Sequence, residues 1–200
     1  MGWEDVRGWF GFRETYDLFI ETAPLNAILV EIGVAFGRSI GYLARKAIDA
    51  GRSDIRIVAI DPWRDDWWMP PNDYPLDAPR PTWGGEHAAW ARAMGGPFSA
   101  FLAEMRTHAP EELERIEVVR AYANYASRMF LEHSVHAVMI DGNHNYEQVR
   151  QDILTWRPLV RAGGILAGDD YSSDFPGVVR AVFEEVPGHE VVGTTWRVRV

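Results

Sequence analysis

Short apolar runs closed by glycine or aspartate alternate along this chain with segments of helical spacing, a pattern that few folds accommodate. Residues 28–34 (ILVEIGV) are one such run, of the kind that becomes a strand buried on both faces of a parallel sheet. Residues 55–60 are a second, stopped by Asp61-Pro62. Residues 116–121, 135–140 and 165–167 read as further strands, the last two running into Asp141-Gly142 and Gly168-Asp169-Asp170. Helical spacing covers residues 13–22, 39–50 (closed by Gly51), 86–108 with a break at Gly95-Gly96-Pro97, 125–133, 145–160 with Pro158 in the last turn, and 178–186. Residues 190–200 read as two short strands around Gly193-Thr194. This order predicts an α/β fold with a mainly parallel sheet and a terminal antiparallel pair.

Two hundred residues suit one domain with a full-sized core. Residues 1–200 are therefore taken as a single domain, with a helical N-terminal segment over 1–27 and an insertion over 62–85. The insertion holds six prolines and four tryptophans (Trp63, Trp67, Trp68, Trp83) and has no period. A loop this long inside a compact domain is usually functional. It reads equally as a lid over a substrate, whose closure excludes water, and as a contact in a homo-oligomer.

Composition removes several classes of function. With no cysteine, the chain has no disulfides, zinc-thiolate sites or thiol catalysis, which fits a cytoplasmic location. A net charge of −9 lacks the electrostatic footprint of non-specific nucleic-acid binding, so the expected partner is a small molecule. The N-terminal residues do not read as a signal peptide, and no apolar run is long enough to span a bilayer, so no membrane partner is expected.

In such sheets ligands bind at the carboxyl ends of the strands, beside the point where strand order reverses. Four strand ends here carry suitable residues. In residues 31–39 (EIGVAFGRS), the glycines allow a tight turn and the following helix offers free N–H groups. The same residues also suit a plain strand-to-helix turn. The pattern is not GxGxxG, which disfavours a dinucleotide pyrophosphate. Asp61, 28 residues after Gly33, is placed to accept hydrogen bonds from ribose hydroxyls, although Asp before Pro is also a common turn opener. Asp141 with His144, and Asp169 with Asp170, end the other two strands. Carboxylates that converge raise each other's pKa unless a cation such as Mg²⁺, which takes oxygen ligands, compensates. Both stretches equally suit helix-capping or solvated turns. His144 is a candidate general base, since an ordinary imidazole titrates near neutral pH.

Taken together, residues 31–39, 58–63 (VAIDPW), 139–153 (MIDGNHNYEQVRQDI) and 163–171 (GGILAGDDY) resemble class I methyltransferases. The resemblance runs from residue 28 to the C-terminus. It is strongest to the small-molecule group related to macrolide-sugar and catechol-type O-methyltransferases. It implies a Rossmann-like, doubly wound sheet of seven strands, S-adenosylmethionine as cofactor, and a hydroxylated small-molecule acceptor, sugar-like or aromatic. It further implies Glu31, Gly33, Gly37, Arg38 and Ser39 around the methionine and ribose parts of the cofactor, with Asp61 on the ribose hydroxyls. Trp63 would lie near the adenine, Ala121 would line the other side of that ring, and Asp141 would border the cofactor. The metal set would be Asp141, Asp169 and Asp170 for Mg²⁺, with His144 and Asp141 as the catalytic pair.

Two rival functions share these features: an NAD-type oxidoreductase on the same architecture, and a non-catalytic protein that keeps the cofactor pocket for interaction. The other histidines (His87, His108, His133, His136, His189) and the acids Glu111, Glu112 and Glu114 carry no functional pattern, and the acids read as a solvated helix face.

Overall fold

A computed structural model describes residues 2–64 and 85–200; most of the proposed lid lies outside them. The strands are β1 (Ile28–Ile32), β2 (Arg56–Asp61), β3 (Ile116–Arg120), β4 (Val135–Ile140), β5 (Val160–Gly168), β6 (Glu190–Val192) and β7 (Thr195–Arg199). The helices are α1 (Arg13–Thr22), α2 (Arg38–Asp49), α3 (Gly85–Ala93), α4 (Pro97–His108), α5 (Pro110–Leu113), α6 (Ala123–Ala126), α7 (Tyr146–Trp156) and α8 (Pro176–Glu185). One seven-stranded sheet has the order β3-β2-β1-β4-β5-β7-β6. The first five strands pair in parallel; β7 runs antiparallel to both β5 and β6.

The continuous apolar runs are explained by burial on both sheet faces, since each strand residue points to one face or the other. Leu29, Ile57, Ala59 and Met139 pack with Tyr16, Phe19, Ile40, Leu43 and Phe101 in one layer. Val30, Ile32, Val58, Val138 and Leu166 pack with Val149, Ile153, Trp156, Val178 and Val182 in the other.

Several boundaries differ from the sequence reading. The break at Gly95-Gly96-Pro97 separates α3 from α4, with Gly95 and Gly96 both in the left-handed region and Pro97 opening the next helix. The helix read over 145–160 ends at Trp156, because Pro158 converts its last turn to a 3₁₀ turn, and β5 begins at Val160 rather than at 165. The helix read over 125–133 is only the four residues of α6 and a 3₁₀ turn. Glu112 is not solvated: it is 2% exposed, and Arg45 pairs with it at 2.8 Å while also reaching Glu111.

Candidate active site

Strand order reverses between β1 and β4, and the register aligns the strand ends at that point. Ile32 pairs with Ile60 on one side and with Ile140 on the other, and Ile140 pairs with Gly168. One residue further on, β1, β4 and β5 each hand an N–H to a carbonyl near the end of a neighbouring strand: Gly33 to Ile60, Asp141 to Ile32, and Asp169 to Ile140. The four motif-bearing ends therefore lie side by side along one edge.

Gly33 has φ +84°, and a Cβ there would stand 2.0 Å from the carbonyl oxygen of Asp141. Glycine is thus required by close approach of the β1 turn to the β4 turn. Gly37, at φ +97°, is held in the same way against Met105 and Phe101 of α4. Asp61 fastens the intervening loop. Its Oδ2 accepts the N–H groups of Val34 (2.9 Å) and Ala35 (3.1 Å), and its Oδ1 accepts that of Trp63 (2.6 Å). Burial pushes its carboxyl up, against the effect of those three donors.

Trp63 is in the core. Its indole packs on Phe98 and Phe101, donates to the Ala35 carbonyl at 2.8 Å, and is 2% exposed. It braces the loop from behind and presents no open ring face to an adenine. Glu31 is likewise enclosed, accepting from Tyr16 Oη at 2.6 Å and Ser39 Oγ at 2.5 Å. Burial pushes its carboxyl up to about 8, although both hydrogen bonds favour the ionised form. Tyr16 lies within the helical stretch read over 13–22, and no local pattern ties it to Glu31. Arg38 turns toward the N-terminal segment, donating to the carbonyls of Gly8 and Glu4. Ala121 follows β3, and Asp61 pairs with Arg120 one residue before it, so both lie at the same strand-end edge of the sheet.

Asp141, His144 and Asp170 converge, with one ligand atom from each lying within 4.8 Å of the others. His144 Nε2 is 2.7 Å from Asp170 Oδ2 and 3.9 Å from Asp141 Oδ1. It is buried and aligned with neither as a hydrogen bond. Burial alone would lower the His144 pKa, but the carboxylates of Asp141 and Asp170 outweigh it and hold the ring at about 9. The imidazole is therefore protonated at neutral pH, unlike the free base expected from its ordinary pKa. Burial raises the Asp141 carboxyl to about 7 against the attraction of His144.

Asp169 does not join this cluster. Its Oδ1 accepts from the hydroxyls of Thr194 (2.7 Å) in the β6–β7 turn and Thr195 (3.1 Å) at the start of β7. The expected metal set is Asp141, Asp169 and Asp170; among the described residues, the group whose ligand atoms lie close enough to share a cation is Asp141, His144 and Asp170. Adjacent residues at a strand end point in different directions, so only one of the two aspartates reaches the His144 side.

The sequence profile of a family described as a methyltransferase domain matches residues 30–171, well over half of the chain. The chain belongs to the methyltransferase domain family. It is an S-adenosylmethionine-dependent methyltransferase, and the oxidoreductase and non-catalytic readings are not favoured. Similar solved structures include the O-methyltransferase NovP (TM-score 0.63, 17% identity, 93% of this chain and 78% of that one). The calicheamicin methyltransferase CalS11 superposes with TM-score 0.57 at 17% identity, covering 93% and 76% of the two chains. An rRNA methylase from Streptococcus thermophilus gives 0.57 at 13%, covering 96% and 98%. At these identities the likeness is one of fold. No curated protein matches. Among the described residues of this methyltransferase, no helix is long and apolar enough to cross a membrane.

The residues present fit the family's cofactor. No side chain caps the start of α2, which leaves its first N–H groups facing the Gly33–Gly37 loop, as a carboxylate ligand requires. The Asp141 cluster also fits a divalent cation. Neighbouring ligands in an octahedral shell at ~2.1 Å stand about 3 Å apart, comparable with the observed 2.7 and 3.9 Å. One imidazole among carboxylates extends the fit from Mg²⁺ to Mn²⁺ and other first-row ions.

Proposed function

We infer that this methyltransferase O-methylates a hydroxylated small molecule with the help of a divalent cation. The convergence of Asp141, His144 and Asp170 beside the Gly33 turn carries the reading. We assign Gly33, Gly37, Ser39 and the first turn of α2 to the methionine part of the cofactor, Asp61 to the ribose, and Ala121 to the ring. Glu31, Arg38 and Trp63 hold that loop in place without reaching the ligand. CalS11 is also described as a TDP-rhamnose 3′-O-methyltransferase, which supports a sugar-like acceptor, and the net charge of −9 argues against RNA.

Methyl transfer to an oxygen needs an electrophilic methyl, a deprotonated acceptor and their alignment. S-adenosylmethionine supplies the first, and a divalent cation supplies Lewis acidity toward the acceptor hydroxyl. The chain supplies the rest. Asp141 and Asp170 favour the protonated ring of His144, and the same three side chains would hold the cation once that proton is lost. The acceptor's proton would pass to the carboxylate oxygen of Asp141 left free by the cation. Because a Cβ at Gly33 would collide with the Asp141 carbonyl, cofactor loop and proton acceptor are fixed to each other. Orientation of this kind is the larger part of such catalysis.

The test is a calorimetric titration of S-adenosylmethionine into cofactor-free protein with and without Mn²⁺ or Mg²⁺, followed by a screen of hydroxylated sugars and phenols. Single-site binding with metal-stimulated turnover is expected. Turnover unchanged by chelator would overturn the metal role, and methylation confined to amines or RNA would overturn the acceptor class.

A further inference from the structure

One side chain of α1 reaches the turn assigned to the cofactor. Tyr16 stands on the buried face of α1 at 0% exposure, and Phe12 and Phe19 pack on its ring at centroid distances of 5.1 and 5.4 Å. This packing directs its hydroxyl to Glu31 Oε2, 2.6 Å away. Burial first, and the charge of Glu31 second, push the Tyr16 phenol well up, so it keeps its proton and is the donor. Glu31 lies on β1, two residues before Gly33. Its other oxygen accepts from Ser39 Oγ, in the first turn of α2, at 2.5 Å. Among the described residues those two hydroxyls are the only donors to this fully buried carboxyl, and no cation pairs with it.

We propose that Tyr16 is a positioning residue for cofactor binding: its hydroxyl holds the Glu31 carboxyl against Ser39 and so sets the first turn of α2, where the methionine part of S-adenosylmethionine is assigned. The inference rests on that assignment and extends it to α1. Its physical basis is the balance at Glu31. Burial opposes the ionised form, the hydroxyls of Ser39 and Tyr16 favour it, and the charges of Asp141 and Asp61 press the same way as burial. S-adenosylmethionine brings an ammonium and a sulfonium to this edge of the sheet, and nearby positive charge favours the ionised carboxylate. Without the Tyr16 hydroxyl, the carboxylate that the cofactor's charge calls for has one donor fewer, and binding weakens. S-adenosylhomocysteine has no sulfonium and depends less on that carboxylate.

Tyr16→Phe keeps the ring and its packing, and Glu31→Gln keeps the shape of the side chain but cannot ionise. Calorimetry measures the affinities for S-adenosylmethionine and S-adenosylhomocysteine in wild type, the two single variants and the pair, with thermal unfolding as the check on the fold. Tyr16→Phe is expected to weaken S-adenosylmethionine about tenfold, the worth of one hydrogen bond to a charged group, and S-adenosylhomocysteine clearly less. In the Glu31→Gln background the same change is expected to alter neither affinity, because the group through which Tyr16 acts no longer ionises. A general loosening of α1 would weaken both ligands alike and add to the effect of Glu31→Gln. That result overturns the proposal, as does wild-type S-adenosylmethionine affinity in Tyr16→Phe. Should Tyr16→Phe fail to fold, the pair decides: recovery of the fold with the affinities of Glu31→Gln supports action through the carboxyl, and an unfolded pair overturns it. A wild-type chain that binds no S-adenosylmethionine refutes the cofactor assignment and this inference with it, whereas normal wild-type binding with additive effects refutes the role of Tyr16 alone.

Discussion

Asp152 lies on the buried face of α7, the helix that leads away from Asp141 and His144, and is 2% exposed. A hydrogen bond from Gln148 Nε2 at 3.0 Å favours its ionised form, but burial dominates and pushes its carboxyl up to about 7. The folded state therefore holds this proton more tightly than the unfolded chain does. The resulting stability is fully present below about pH 4 and is lost as pH rises to about 7. A carboxyl raised from 3.8 to about 7 corresponds to ~4 kcal/mol between those limits. Asn has the same shape, keeps an acceptor for Gln148 and cannot ionise. Asp152→Asn is therefore expected to stabilise the protein by roughly 2–4 kcal/mol at pH 8, and by about 2 kcal/mol less at pH 5. For a chain of this size, that gain at pH 8 is a Tm increase of roughly 5–10 °C. Thermal unfolding of both proteins at pH 5 and pH 8 measures the difference, and shared titrations cancel. An equal Tm gap at the two pH values, or a destabilised variant at pH 8, would refute the reasoning.

Three perturbations probe the site itself. Asp61→Ala removes the acceptor of three backbone N–H groups as well as the assigned ribose contact. It should weaken S-adenosylmethionine binding by at least about tenfold, the worth of one or two charge-assisted hydrogen bonds, with the far-ultraviolet circular dichroism unchanged. Gly33→Ala forces a Cβ to within 2.0 Å of the Asp141 carbonyl at a left-handed φ. A loss of ~2–4 kcal/mol in stability is expected, together with reduced turnover, both measured on the same preparation. His144→Ala takes one of three atoms from the candidate cation site. Mn²⁺ stimulation of turnover should disappear while cofactor affinity measured by calorimetry stays within a factor of about two, because the assigned cofactor contacts lie on the β1–α2 loop, the start of α2 and the ends of β2 and β3.

Much of the site was legible because its residues lie at strand ends. The run ILVEIGV, the Asp61-Pro62 stop and the Asp141 and Asp169 turns each announce where a strand finishes, and a parallel sheet necessarily brings such ends to one edge. The glycines were legible as turns, but their reason was not. Only the folded chain shows that Gly33 yields to the Asp141 carbonyl and Gly37 to Met105. Glu112 was misread for a similar cause: its salt bridge to Arg45 joins residues 67 apart in the chain.

What the sequence determined by itself was periodicity, and with it the α/β class, the mainly parallel sheet and the edge at which chemistry would gather. These follow from local rules, since strand and helix periods and turn residues act over a few positions. Which atoms meet was decided by the tertiary structure. Trp63 turned into the core on Phe98 and Phe101, and Glu31 was closed off by Tyr16 and Ser39. Asp169 was drawn to Thr194 and Thr195, and Asp170 was left facing His144. A side chain's direction at a strand end depends on the backbone turn and on partners supplied from distant parts of the chain. Hydrogen bonds spanning 25 and 26 residues, as at Asp169, leave no mark on the residues around it.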